Sequence, residues 1–150
     1  MKIQNSIFLL FLILFSCDSK VIYNEFYSNF DENRWVLNEA KSFTFTIEKE
    51  EVGAIVLHLG HIYDFQFESI PIEVKIITPD SETEVLELNV KLKDTEGKDI
   101  ADCSGDICDL YVTLKEKAML KNGKYEIVIT NKFNLPYLPN ILGVGIQVKR

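Results

Sequence analysis

Cys17 is the residue whose sequence context most directly indicates a chemical modification. It follows an apolar run over residues 7–15, which one lysine, Lys2, precedes. The segment Leu14-Phe15-Ser16 puts a leucine at −3 and a small residue at −1 relative to the cysteine, as in a bacterial lipobox. The sequence therefore predicts cleavage before Cys17, diacylation of its sulfur and acylation of the new amino terminus.

Two other interpretations of this segment stay open. The apolar run is nine residues long, whereas a membrane-spanning helix needs about 20, so a transmembrane anchor is disfavoured. A plain secretory signal would leave three cysteines, one of them unpaired, in an oxidising compartment. Two or three acyl chains give stable anchoring. We therefore expect a lipoprotein signal peptide over residues 1–16, a lipidated tether over 17–33 and one domain over 34–150.

Cys103 and Cys108 are the two cysteines left once Cys17 is acylated. Ser104 and Gly105 lie between them and make the short loop flexible, so the sequence predicts a disulfide. Closing so small a ring stabilises a protein by about 2 kcal/mol in the chain-entropy model. Two reduced thiols are the alternative. A zinc site is disfavoured because there is no further cysteine and the two histidines lie some forty residues away.

His58 and His61, with Asp64 and Glu68 nearby, raise the question of a metal site. An offset of three residues on a strand points the two rings to opposite faces. We expect solvated surface histidines, with His58 pointing away from the apolar face and His61 at the strand end.

The acidic stretch from Asp94 to Asp109 is the better candidate for a cation site. Calcium favours oxygens that converge from a glycine-containing turn. The spacing departs from an EF-hand, because Gly97 comes too early and no glutamate closes the loop. We interpret these carboxylates as solvated residues that keep strand edges from pairing, with calcium as the alternative.

The sequence contains no sign of an enzyme or of a resident cofactor. It has no Gly-x-Ser-x-Gly motif and no phosphate-binding glycine loop. Paired carboxylates of the glycosidase type stay open, because such residues meet in space rather than along the chain.

Removing residues 1–16 deletes one lysine and no acid, so the net charge moves from −7 to −8. An acidic domain without a basic stripe argues against nucleic acid, and the acyl chains must hold it at the membrane.

A period of two dominates the chain after Ser42 and predicts half-buried strands. Seven or eight short antiparallel strands with almost no helical period predict a β-sandwich, either jelly-roll or immunoglobulin-like. The stretch from Lys115 to Lys121 is compatible with one or two helical turns. The segment 135–139 contains two prolines, so we expect a loop before the last strand. The alternating runs include Phe43–Ile47, Ile55–Leu59, Ile72–Ile76, Leu86–Leu92, Tyr125–Thr130 and Val144–Val148.

Aromatic residues form a second group of interest. Three of them alternate in the strand-like stretch Tyr63-Asp-Phe65-Gln-Phe67, which would put them on one face. We expect core positions for this group, with a docking patch for a protein or a sugar as the alternative. The other members are Phe26, Phe30 and Trp35.

The order of several weak motifs resembles the gliding-motility lipoprotein H (GldH) family of Bacteroidota. The motifs cover essentially the whole mature chain, and their shared order is what marks the resemblance. Two features depart from the family pattern: the stretch from His58 to Phe67 and the Cys103/Cys108 pair. The matching motifs are Cys17-Asp-Ser19, Trp35, Phe43-Thr-Phe45, Thr78-Pro-Asp80, Asp94-Thr-Glu-Gly97, Gly105-Asp-Ile107, Asn122-Gly-Lys-Tyr125 and Leu138-Pro-Asn-Ile141-Leu-Gly-Val144-Gly145.

The resemblance implies a non-enzymatic lipoprotein that works with other envelope proteins of gliding motility and type IX secretion. It brings no catalytic residues and no small-molecule substrate. We expect the membrane to be reached through acylated Cys17, on the periplasmic side of the outer membrane, with the inner membrane as the alternative. The alternative function is a lipoprotein that binds carbohydrate or another small ligand in a concave aromatic site.

Overall fold

The computed structural model describes residues 21–150, so the predictions for Cys17 and the signal peptide lie outside the described residues. The predicted antiparallel β-sandwich is confirmed. Residues 21–150 form eleven strands and one short 3-10 turn at Asp31–Asn33. The strands are β1 (Val21–Tyr27), β2 (Trp35–Val36), β3 (Ala40–Ile47), β4 (Glu51–Ile62), β5 (Ser69–Ile77), β6 (Thr83–Lys91), β7 (Asp102–Ser104), β8 (Ile107–Leu120), β9 (Gly123–Asn131), β10 (Tyr137–Leu138) and β11 (Ile141–Lys149).

Two sheets form the sandwich. The larger has five strands in the order β1-β11-β4-β8-β7, and the smaller has four in the order β3-β9-β5-β6. Strands β2 and β10 form a separate two-stranded ladder. Neighbouring strands are antiparallel throughout these ladders.

The core lies between the two inner faces, where the period of two puts every second side chain. Apolar residues of β3, β5 and β9 supply the smaller sheet's contribution, and β4 and β11 supply most of the larger sheet's. Strand β4 is central and largely buried on both faces, since Val56 on its outer face is as enclosed as Ile55 and Leu57 on its inner face. The largest fully buried side chains include Trp35, Phe43, Phe65, Leu57, Leu59 and Ile127.

Asn131 ties the end of β9 to β2. Its side-chain amide donates to the carbonyl oxygens of Trp35 at 2.7 Å and Val36 at 3.2 Å, and its side-chain oxygen accepts from the backbone N–H of Phe133 at 2.8 Å. Trp35 is fully buried, and its indole nitrogen donates to the carbonyl of Glu39. One buried amide therefore contributes hydrogen bonds to three backbone groups at the junction of β2 and β9.

Several local predictions are wrong. Residues 21–27 of the expected tether form β1, which pairs with β11, so the sandwich begins at Val21 rather than at residue 34. The stretch from Lys115 to Lys121 is mainly the end of β8, where a bulge with Lys117 at a φ of 50° disturbs the alternation. Residues 63–67 form a loop rather than a strand. Within the expected loop 135–139, Tyr137 and Leu138 form the short strand β10.

Candidate functional site

A row of aromatic side chains crosses the outer face of the larger sheet. Phe26 on β1, Gly145 on β11, His58 on β4 and Tyr111 on β8 are successive register partners. The rings of Phe26 and His58 stack with centroids 4.3 Å apart, and those of His58 and Tyr111 stack with centroids 4.4 Å apart. We call these three side chains the aromatic row.

Three glycines allow Phe26 to reach His58. A Cβ atom at Gly60 would lie 2.9 Å from the ring of Phe26, and one at Gly143 would lie 2.2 Å from it. At Gly145 the conflict would be with the backbone of β1, because a Cβ atom there would lie 2.3 Å from the carbonyl oxygen of Glu25. The aromatic row therefore requires glycine at these three positions, because a larger residue would collide with the ring of Phe26 or with the backbone of β1.

The far end of the aromatic row is acidic and open to solvent. His58 Nε2 lies 2.6 Å from Asp109 Oδ1, and Asp102 is the cross-strand partner of Asp109. Partial burial, followed by the charges of Asp109 and Asp102, raises the pKa of Tyr111. Tyr111 is 51% exposed, so its ring and hydroxyl are available to a partner. An exposed aromatic beside carboxylates suits a docking surface better than a core position.

The two histidines differ from the expectation of solvated surface residues. His58 does point outward, but its side chain is only 12% exposed because it is held between two rings. His61 is fully buried on the inner face, as the register partner of Cys108. Its Nδ1 lies 2.9 Å from the carbonyl of Ile62, and its Nε2 has no hydrogen-bond partner among residues 21–150.

The three aromatics of the stretch 63–67 do not share one face: the rings of Phe65 and Phe67 stay in edge-to-face contact, with centroids 5.8 Å apart, and Tyr63 leaves them. Phe65 is buried and Phe67 is half-buried, in contact with Phe133. Tyr63 is 57% exposed and does not join the core. The expected single face of three rings is absent from this loop because the chain leaves the extended conformation at Asp64, whose φ is 53°.

The acidic stretch from Asp94 to Asp109 folds on itself rather than around a common centre. Asp94 accepts from the backbone N–H groups of Glu96 and Lys98. Asp99 accepts from the backbone N–H of Asp64, whose own carboxylate pairs with Lys93 and raises the pKa of that lysine. Among residues 21–150, one group of three potential metal ligands comes together, namely Asp99, Cys103 and Cys108, and both cysteines are committed to a disulfide.

One surface groove is lined mainly by polar and charged residues. It encloses about 440 Å³, and no aromatic residue is among those of the described chain that line it. The aromatic row lies on a sheet face instead. The groove is lined by Glu68, Ser69, Asn89, Lys91, Lys93, Asp94, Thr95 and Ile100.

Cys103 and Cys108 form a disulfide in the structure and are directly opposed on β7 and β8. We predict that the purified mature protein resists alkylation at both positions until it is reduced. We further predict that the Cys103→Ser/Cys108→Ser variant loses about 2 kcal/mol of unfolding free energy, measured by urea denaturation. Mass spectrometry that finds both thiols alkylated without prior reduction would contradict the disulfide.

These features define an antiparallel β-sandwich with an aromatic outer face, and within residues 21–150 no helix is long and apolar enough to cross a bilayer. The family model described as GldH lipoprotein matches residues 21–148. The chain therefore belongs to the GldH lipoprotein family, which is a family of lipoproteins rather than of enzymes and associates the chain with a membrane.

A comparison with curated proteins finds no match. Among solved structures, the chain is similar to a family 35 carbohydrate binding module from an environmental isolate, with a TM-score of 0.38, 10% identity and coverage of 87% of this chain and 88% of that chain. It is also similar to an exo-β-1,3-galactanase from Phanerochaete chrysosporium, determined with galactose, with a TM-score of 0.35 and 10% identity. That match covers 83% of this chain and 29% of the galactanase chain. Both likenesses are too weak to support a functional conclusion.

The sequence did not predict the aromatic row, because its three members lie on strands that are distant from one another along the chain. One signal was present in the sequence. Gly143 and Gly145 alternate within an apolar run, which indicates an outer face that another part of the chain approaches closely.

Proposed function

We propose that the protein is a lipid-anchored envelope lipoprotein that serves gliding motility and type IX secretion as a non-enzymatic accessory, through protein–protein contacts. The observation that carries this proposal is the family match over residues 21–148, which spans the whole sandwich. Membership of a lipoprotein family also agrees with the lipobox before Cys17.

The aromatic row is the surface we assign to the protein partner. Tyr111 is half exposed on the outer face of the larger sheet, and the charges of Asp109 and Asp102 lie close enough to contribute to its raised pKa. Tyrosine is enriched among residues that dominate binding energies, because it buries a large area with little loss of side-chain freedom. The stacked neighbours His58 and Phe26 hold the ring in place before a partner arrives.

The anchor is tested by Cys17→Ala. We expect the wild-type protein in the membrane fraction and the variant in the soluble fraction, because the acyl chains are the attachment that the sequence predicts. Radiolabelled fatty acid should be incorporated into the wild type and not into the variant. A variant that stays in the membrane fraction without label would contradict lipid anchoring at this cysteine.

The partner surface is tested by crosslinking in the native envelope, followed by affinity purification. We expect the wild type to recover gliding or secretion components and Tyr111→Ser to recover about tenfold less, as loss of a binding hot spot does. Val85→Ser is the matched control, since Val85 lies on the other sheet and is 52% exposed, against 51% for Tyr111. Recovery of neither component by the wild type would overturn the proposed function. Equal losses in both variants would overturn the assignment of this surface.

A further inference from the structure

The start of β1 limits how far the sandwich can stand from a lipid anchor at Cys17. Three residues, Asp18, Ser19 and Lys20, separate the cysteine from Val21. Even a fully extended chain spans about 14 Å over these four steps. The sandwich itself is far longer, because the twelve residues of β4, which pairs with β8 from Glu51 to Ile62, extend over about 36 Å. One end of the sandwich must therefore lie next to the bilayer.

The strand register identifies the residues at that end. Val21 pairs with Lys149 on β11, which pairs with Ala54 on β4. Strand β4 continues for three further residues to Glu51, and β8 accompanies it, with Val52 opposite Met119. Val52 and Met119 therefore project about 7 Å beyond the level of Val21, on the side where the tether enters.

These projecting residues are apolar and exposed. Val21 is 44% exposed, Val52 is 52% exposed and Met119 is 58% exposed. Val52 and Met119 are direct cross-strand partners, so their side chains share one face of the larger sheet. We call these three residues the proximal patch.

The charges next to the proximal patch are mixed, because the turn before β4 adds exposed Glu48, Lys49 and Glu50 to this end. The carboxylate of Glu51 forms an ion pair with Arg150, so it does not face the bilayer as a free anion. Lys149, the partner of Val21, has a long aliphatic stem that can extend its ammonium group to lipid headgroups.

We propose that the proximal patch contacts the interface of the bilayer that holds the acyl chains, so that the sandwich stands on this end. The proposal rests on lipid anchoring at Cys17, as set out under the proposed function. The contact orients the domain. Tyr111 is opposite His58, six residues along β4 from Val52, so the aromatic row is held about 20 Å from the bilayer, where an envelope protein can reach it.

Strand β8 supplies a matched pair of positions for the test. Met119 is 58% exposed in the proximal patch, and Ile107 is 57% exposed at the other end of the same strand, about 33 Å away. Full-length acylated Met119→Trp and Ile107→Trp variants would each be incorporated into phosphatidylcholine vesicles with and without dibrominated acyl chains. The emission of the wild type, which comes from buried Trp35, is subtracted.

We expect brominated lipid to quench at least half of the added emission in Met119→Trp and less than one tenth in Ile107→Trp. Val52→Trp is a second proximal reporter in case Met119→Trp does not fold. Equal quenching at both ends would mean that the domain lies on its side and would overturn the proposal. Absence of quenching at both ends would also overturn it, provided that the protein sediments with the vesicles. Failure of the acylated protein to sediment with vesicles would overturn the lipid anchor itself, and this proposal with it.

Discussion

Replacing Asn131 by aspartate lowers the free energy of unfolding by about 3 kcal/mol near neutral pH, although the two side chains are nearly the same size. Asn131 is fully buried, and its amide nitrogen faces the carbonyl oxygens of Trp35 and Val36. In the variant a carboxylate oxygen takes the place of the amide donor. The carbonyl of Trp35 then loses the side-chain donor at 2.7 Å, the carbonyl of Val36 keeps only the backbone N–H of Glu39, and a negative charge is buried beside both.

The loss of unfolding free energy in Asn131→Asp, measured relative to wild type, increases as pH rises. Burial and the two facing carbonyls favour the protonated acid, so the pKa of the introduced carboxyl group in the folded variant lies above its unfolded value. The folded state then binds more protons than the unfolded state, and the stability of the variant falls as pH rises. Relative to wild type, the deficit is therefore smallest below the unfolded pKa and grows as pH rises through the folded pKa.

Asn122→Asp is the matched control. The side-chain amide of Asn122 also donates to two carbonyl oxygens, those of Ile47 and Glu48, but Asn122 is exposed. Water can solvate the new carboxylate there, so we expect a cost below about 1 kcal/mol. Urea denaturation at pH 4 and pH 7 measures both variants. Equal losses at the two positions, or a deficit at Asn131 that does not change with pH, would contradict the account of the buried amide.

A methyl group at Gly145 costs about 3 kcal/mol, because it would force β1 away from β11. The added Cβ atom would lie 2.3 Å from the carbonyl oxygen of Glu25 and 2.9 Å from the Cα atom of Phe26, and both are backbone atoms. Gly60 provides a contrast, since a Cβ atom there would approach the ring of Phe26 at 2.9 Å and no other atom closer than 3.5 Å.

The two glycines should therefore respond differently to a smaller residue at position 26. We expect Gly60→Ala alone to cost about 1 kcal/mol, and the cost to fall to nearly zero in a Phe26→Leu background. The cost of Gly145→Ala should stay unchanged in that background. A double-mutant cycle on unfolding free energies measures both. Rescue of Gly145→Ala by Phe26→Leu would show that the ring, rather than the backbone of β1, is the obstacle.

The longer strands were predictable because apolar and polar residues alternate along a strand when one of its faces is buried. The runs from Phe43 to Ile47 and from Tyr125 to Thr130 alternate cleanly, and both form strands of the smaller sheet. Prediction failed in the segments where this alternating pattern is interrupted or weak. The bulge at Lys117 in β8 breaks the period over 115–121, and β1 is an edge strand whose alternation is weak. A local pattern cannot distinguish these segments from loops or helical turns.

The sequence by itself determined the fold class, the family resemblance that the match over residues 21–148 confirms, and the prediction of lipid attachment at Cys17. These properties are carried by local patterns and by the order of motifs along the chain. Tertiary structure alone decided that Phe26, His58 and Tyr111 stack in one row and that His61 is buried opposite Cys108. It also decided that Val21, Val52 and Met119 share one end of the sandwich. The physical reason is that the register between distant strands is set by how both sheets pack together, and no short stretch of sequence contains that information.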